Sequence, residues 1–266
     1  MRILARALGL ILGIAVLVFL LVRVIPGDVV DVMNREGGLT EAQAAEIRAE
    51  LGLAASLPAQ FLAWTGQALQ GDLGLSLRFR RPVADLILHA LPVTLWLTAM
   101  SFAVGLVLGV GAALAAILRP VPSAGLVHGL NLWSIAVPTF CAGLGAILVF
   151  VLWLGWLPLL GNYWLPTLIV GVDIAGQLAK PLHEDLKESL SANFIRTARA
   201  KGVHPVWIVW RHLLPNALTV VLALSGVILA GLIGGTLTME VLFGLSGIGK
   251  LALDSVLGRD YPLIQA

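Results

Sequence analysis

The sequence predicts an all-α integral membrane protein, and three observations carry that prediction. It is 59% hydrophobic and only 12% charged, with a mean hydropathy of +0.96. Soluble proteins average about 45–50% apolar and about 25% charged residues, so too few groups remain here to wet a surface. The third observation is spacing: Asp, Glu, Lys and Arg are absent from 7–22, 86–118, 120–172 and 212–239. An ionised side chain at mid-bilayer costs at least about 2.5–3.5 kcal/mol, so such gaps locate crossings of about 20 residues each. The net charge of +2 is too small to suggest a nucleic-acid surface. A single cysteine, Cys141, excludes an intrachain disulfide framework and a cysteine-rich metal site.

The first span covers 7–25, behind Arg2 and Arg6, which the positive-inside bias keeps in the cytoplasm. A secretory signal peptide is the competing reading. However, Val22-Arg23-Val24-Ile25-Pro26 offers no small-x-small cleavage site, so residues 1–25 read as an uncleaved anchor helix.

Residues 26–92 then form an outer segment with structure of its own. Thr40-x-x-Gln43 is a capping box opening a helix through Leu51, and Gly52 is placed as its stop. Phe61-Leu62-x-Trp64 and Leu69 suggest a second amphipathic piece at the membrane surface, and a plain cap is the alternative.

The second span runs from 94 to 117, and its Gly105-x-x-x-Gly109 spacing lets another helix approach closely. The gap from 120 to 172 is too long for one crossing, so Trp156-Leu-Pro-Leu-Leu-Gly-Asn162 is read as a turn between spans 130–155 and 163–181. A fifth span covers 217–239, after Pro215. This topology is consistent with the basic residues: Lys180, Lys187, Arg196, Arg199, Lys201 and Arg211 cluster in one inner stretch, and Arg119 lies in the other.

Within that inner stretch, Phe194-Ile-Arg-Thr-Ala-Arg-Ala-Lys-Gly202 reads as a short helix with Arg196 and Arg199 on one face. Ala198 and Ala200 would let it lie close to a partner, and Gly202 ends it. Basic anchors at the inner membrane interface are the competing reading.

Asp173 lies mid-span, with Gln177 and Lys180 at i+4 and i+7 on the same stripe. Such a stripe faces an aqueous path or a bundle interior, so Asp173 and Gln177 are candidates to line a translocation route. A buried polar contact with a partner subunit is the alternative. Glu240, at the outer end of the fifth span, is expected at a rim or in a loop.

Gly244-Leu-Ser-Gly-Ile-Gly-Lys250 satisfies the G-x-x-x-x-G-K pattern of a phosphate-binding loop. Leu251 stands where a Ser or Thr should reach magnesium, and the topology puts the segment on the outer face, so a glycine-rich outer loop is expected instead. His89, His128, His183, His204 and His212 show no metal-ligand spacing, and Ser189, His183 and Asp185 are merely near in sequence. No enzyme active site and no metal site are expected.

Several collinear motifs add a resemblance. Ala198-Arg-Ala-Lys-Gly202 with Leu214-Pro215, Gly71-Asp-Leu-Gly-Leu-Ser76, Arg81-Pro-Val83, Leu91-Pro-Val-Thr94, Gly234-Gly235 with Glu240, Gly247-Ile-Gly249 and Arg259-Asp-Tyr-Pro262 span nearly the whole chain. Taken together in chain order, they are similar to the permease subunits of bacterial ABC importers of the dipeptide/oligopeptide/nickel family. The resemblance implies a type I ABC importer permease bundle in the cell inner membrane, multi-pass with a cytoplasmic N-terminus. Residues 26–92 would be periplasmic, and 93–261 the permease core, including a cytoplasmic coupling loop over 182–216. Arg196, Thr197, Ala198, Arg199, Ala200, Lys201, Gly202 and Pro215 would couple the subunit to an ATPase. The partners implied are a second homologous permease subunit, two cytoplasmic ATPase subunits and a periplasmic or lipid-anchored solute-binding protein. ATP and magnesium would be bound by the ATPases, with no cofactor in this chain. Peptides, nickel and metal chelates are the substrate classes implied.

Two departures accompany the resemblance. Arg196 stands where the general importer signature has a glutamate, as is usual in the peptide/nickel branch. The family pattern continues with a further helix after Arg-Asp-Tyr-Pro, so 262–266 is read as a stub, giving five complete spans with the usual sixth missing. A secondary transporter, or a structural membrane subunit without an ATPase partner, remains the alternative, although no pseudo-repeat supports the former.

Overall fold

A computed structural model describes residues 2–24, 27, 30–31, 34, 40–50, 52–53 and 55–266. Among them the secondary structure is helical, apart from one isolated antiparallel bridge between Leu75 and Pro82. The chain forms two compact units, Met1–Leu91 with Lys250–Ala266, and Pro92–Gly249.

In the first unit, helix α1 (Arg2–Val24) presents Leu10, Ile11, Leu12, Ile14, Leu17, Leu20 and Leu21 outward and turns Phe19 and Val22 inward. An apolar helix this open needs lipid as its solvent. Helix α2 (Glu41–Glu50) starts on the expected capping box: Gln43 N–H donates to Thr40 Oγ1, and Thr40 N–H donates back to Gln43 Oε1. Gly52, at φ +66°, stops it in the left-handed region, with Leu53 N–H returning to the Arg48 carbonyl. Helix α3 (Leu57–Leu69) sets Phe61 edge-to-face on Phe19, centroids 5.0 Å apart, with Trp64 at 6.2 Å.

Helix α4 (Val83–Leu118) begins eleven residues before the expected span. Its 36 residues rise about 54 Å against a hydrocarbon layer of about 30 Å, so the turns bearing Asp85 and His89 have room outside the lipid. Charge gaps mark where lipid begins, and a helix can start well before that point.

The expected span 130–155 is corrected: it is two helical pieces, Ala124–Ala136 and Thr139–Trp153, bent by 101°. They belong to α5 (Pro120–Ala136) and α6 (Thr139–Ala146), the latter widening into a π-helical stretch over Ile147–Trp153. Pro138 is the cause. It supplies no N–H and pushes Val137 into extended backbone, at φ −111° and ψ 106°.

Helix α7 (Trp164–Ser189) begins one residue into the expected span 163–181 and runs two turns beyond its end. By length and composition, three helices among the described residues could cross a membrane, or four if the bent pair counts as one. Helix α7 is not among them because of its polar residues, and it buries its apolar face within the second unit instead. The glycine spacing explains how closely it packs. A Cβ on Gly105 would lie 2.5 Å from Ile174 Cβ, and one on Gly109 would lie 3.1 Å from the Ala175 carbonyl.

Helices α8 (Asn193–Ala200) and α9 (Pro205–Ile208) follow, and π-helical turns over Val209–Leu213 lead into α10 (Leu214–Leu242). The expected fifth span 217–239 is thus the C-terminal part of a longer helical run that starts at Pro205. Leu97 of α4, Ile174 of α7, and Ile228, Leu232 and Met239 of α10 share one core cluster of the second unit. Helices α11 (Ile248–Leu257) and α12 (Tyr261–Gln265) complete the chain.

Candidate transport and coupling sites

The basic inner segment folds as an anchored helix. In α8, Ile195 and Ala198 are buried three residues apart. They join Leu182 and Leu186 of α7, Ala113 and Leu114 of α4, and Val209, Leu213 and Ala217 in one apolar cluster. Burying an isoleucine contributes about 1.5–3 kcal/mol, which is enough to seat a two-turn helix that could not form alone.

The opposite face stays open. Arg196, Thr197, Arg199, Ala200, Lys201 and Gly202 are exposed, as is Pro215 in the first turn of α10. Gly202, at φ +73°, terminates α8, and Val203 N–H returns to the Ala198 carbonyl. Among the described residues neither Arg196 nor Arg199 forms an ion pair. One detail of the sequence reading is corrected. Ala198 faces the core of its own unit, so Ala200 is the small residue that leaves room for a partner.

The predicted polar stripe on α7 is present. Gln177 Nε2 donates to Asp173 Oδ2 at 2.9 Å, and the Ser134 side chain of α5 lies near the same carboxylate. Asp173 and Lys180 are half-buried, while Gln177 is exposed. Gly176 brings α5 so close that a Cβ there would overlap the Leu130 carbonyl. The stripe therefore sits at the edge of the α5–α7 contact, with a carboxylate and an amide reachable from outside the unit.

Glu240 overturns its expected rim position: it is fully buried. Thr94 Oγ1 donates to Glu240 Oε1 at 2.6 Å, and Ile248 N–H donates to Thr94 Oγ1 at 2.8 Å. The chain after α10 folds back over the carboxylate, with Gly244 at φ +64° and Leu245 N–H bonded to the Glu240 carbonyl at 2.8 Å. Any side chain on Gly247 would overlap the Glu240 carboxyl, and one on Gly249 would lie 3.0 Å from its Oε2. The glycines of the apparent phosphate loop thus make room for an anion of the chain itself. A phosphate would meet a carboxylate there.

A second polar node joins two of the motifs within the first unit. Asp260 is fully buried and accepts from the Ser76 hydroxyl and from the N–H groups of Leu77 and Arg78. Gly258 gives Arg78 room to reach the Asp254 carbonyl, with its Nη1 donating at 2.9 Å. Both motifs are visible in the sequence, but their meeting is not. Nothing local pairs residues so far apart in the chain.

The family model for the binding-protein-dependent transport system inner membrane component matches residues 79–266. The chain is 40% identical to the glutathione transport system permease protein GsiC of Escherichia coli O6:H1, over 98% of this chain and 88% of that protein. The same identity and coverage hold for GsiC of Shigella flexneri serotype 5b, and GsiC of Shigella boydii serotype 4 is 39% identical.

Proposed function

The chain belongs to the family of binding-protein-dependent transport system inner membrane components, and from that membership we propose that it translocates substrate by alternating access, driven by ATPases docked on α8. It is a permease of an ABC transport system, a multi-pass inner-membrane subunit and not an enzyme. Such permeases work with an ATPase and a substrate-binding protein.

The observation that carries the coupling proposal is the division of α8. Ile195 and Ala198 fix it to α4, α7 and the start of α10, while Arg196, Arg199 and Lys201 remain available. Movement imposed on the open face passes through the buried face into three helices at once. In this reading Arg196, Thr197, Arg199, Ala200, Lys201 and Gly202 meet the ATPase, Ala198 anchors from below, and Pro215 marks where the motion enters α10. The working assembly has a second homologous permease and two ATPases, which bind ATP and magnesium. The N-terminus is cytoplasmic, on the side of the basic loop.

For the route itself we place Asp173 and Gln177 on the translocation pathway, since they form the accessible polar pair of α7. The substrate class we favour is a short peptide of the glutathione type, ahead of nickel or metal chelates, because the relatives are glutathione permeases. Competition of labelled glutathione uptake by unlabelled glutathione, dipeptides and nickel tests that order. Inhibition by nickel alone would reverse it.

A further inference from the structure

The first unit contains a cavity of about 520 Å³ at the end of the lipid-facing helix α1. Its lining includes Arg23, Gln60, Trp64, Gln67, Tyr261 and Gln265, with alanines, glycines and leucines between them. Arg23 is the one charged residue among the described lining residues.

The guanidinium is held in place. It lies 3.6 Å from the centroid of the Phe19 ring, and its Nε donates to Gln60 Oε1 at 2.8 Å. Nη1 donates to the Phe19 carbonyl at 3.3 Å. Those bonds engage Nε and Nη1, and Nη2 has no acceptor among the described residues. An ordinary interface arginine extends its head into water; this one is half-buried, folded onto an aromatic ring and fixed by an amide.

A second donor also lacks an acceptor. Gln265 Nε2 is buried and has no hydrogen-bond partner among the described residues. No ion pair joins Asp72 to Arg23 among the described residues, and Asp72 accepts from Gly74 N–H at 2.8 Å. The cavity therefore combines a fixed cation, an orphan amide donor and apolar walls. Beside it Leu20, Leu21 and Val24 are 46%, 55% and 77% exposed along α1.

We propose that this cavity is a site for the phosphate headgroup of an anionic phospholipid, with Arg23 as its charge partner. Charge complementarity calls for an anion, and the exposed apolar side of α1 gives the acyl chains of the same molecule a surface to follow. A free phosphate or a peptide carboxylate would satisfy the cation and leave that surface unused. Trp64, half-buried on the cavity wall, supplies an amphipathic ring of the kind that settles at headgroup level.

The test uses the complete transporter complex in nanodiscs, with lipid retention counted by native mass spectrometry. Phosphatidylglycerol should be retained in preference to phosphatidylcholine, and Arg23→Gln should weaken retention about tenfold. Because Arg23 also ties α1 to α3, a second variant is needed. Gln67→Glu changes an exposed lining residue, leaves Arg23 and its anchors in place, and should lower phosphatidylglycerol retention through the added negative charge. Equal retention of the two lipids overturns the proposal. So does unchanged phosphatidylglycerol retention in both variants, or Arg23-dependent binding of inorganic phosphate or glutathione without the lipid.

Discussion

The Thr94 hydroxyl donates to the Glu240 carboxylate at 2.6 Å and accepts from Ile248 N–H at 2.8 Å, so one side chain of α4 ties the end of α10 to the start of α11. A buried carboxylate is costly unless its oxygens find donors. Here the glycines at 247 and 249 leave the space it needs. Gly247→Ala should therefore lower the melting temperature of the purified complex, by a destabilisation of about 2 kcal/mol or more, since Cβ and carboxylate cannot share the site. Glu240→Gln keeps the shape and should cost less than Glu240→Ala, which leaves Thr94 without its acceptor.

The seat of α8 is separable from its open face. Ile195→Ala removes a fully buried side chain from a cluster shared with α4 and α7, and should destabilise that region by about 2–4 kcal/mol. Limited proteolysis after Lys201 should accelerate, while the ends of α4 and α10 nearer Thr94 remain protected.

Close helix contact predicts a steep size limit. Gly105→Ala places a methyl within 2.5 Å of Ile174 and 2.9 Å of the Gly171 carbonyl. Loss of folded protein on size-exclusion chromatography is expected for Gly105→Leu and a reduced melting temperature for Gly105→Ala. At Gly111, where nothing lies within 4 Å, Ala should be tolerated.

On the proposed route, Asp173→Asn keeps a hydrogen-bonding side chain of the same size beside Ser134 and Gln177. Uptake should fall while assembly and melting temperature stay near those of the unaltered complex. Uptake, stability and assembly that all remain unchanged would remove Asp173 from the pathway.

Much of this was legible in the sequence where local chemistry decides the outcome. The Thr40–Gln43 box, the Gly52 stop, the Gly105-x-x-x-Gly109 contact and the α8 helix ending at Gly202 all rest on residues within a few positions of each other. Charge gaps mark the apolar runs but not their breaks, so the bend at Pro138 falls inside a run that reads as one span. The inward turn of Ala198 needed the positions of α4 and α7. Glu240 misled for a similar reason. At the end of an apolar run a glutamate normally meets water, and only the return of the chain through Gly244 and Gly247 covers it.

The central claim is that α8 transmits the work of a partner ATPase through its open basic face. The most direct measurement is co-purification with the ATPase subunits, combined with substrate uptake, for Arg196→Glu/Arg199→Glu. Both residues are exposed, so the permease should fold with an unchanged melting temperature. The predicted result is loss of the ATPase from the complex and loss of uptake together. A folded variant that retains its ATPase and transports at the original rate would contradict the account.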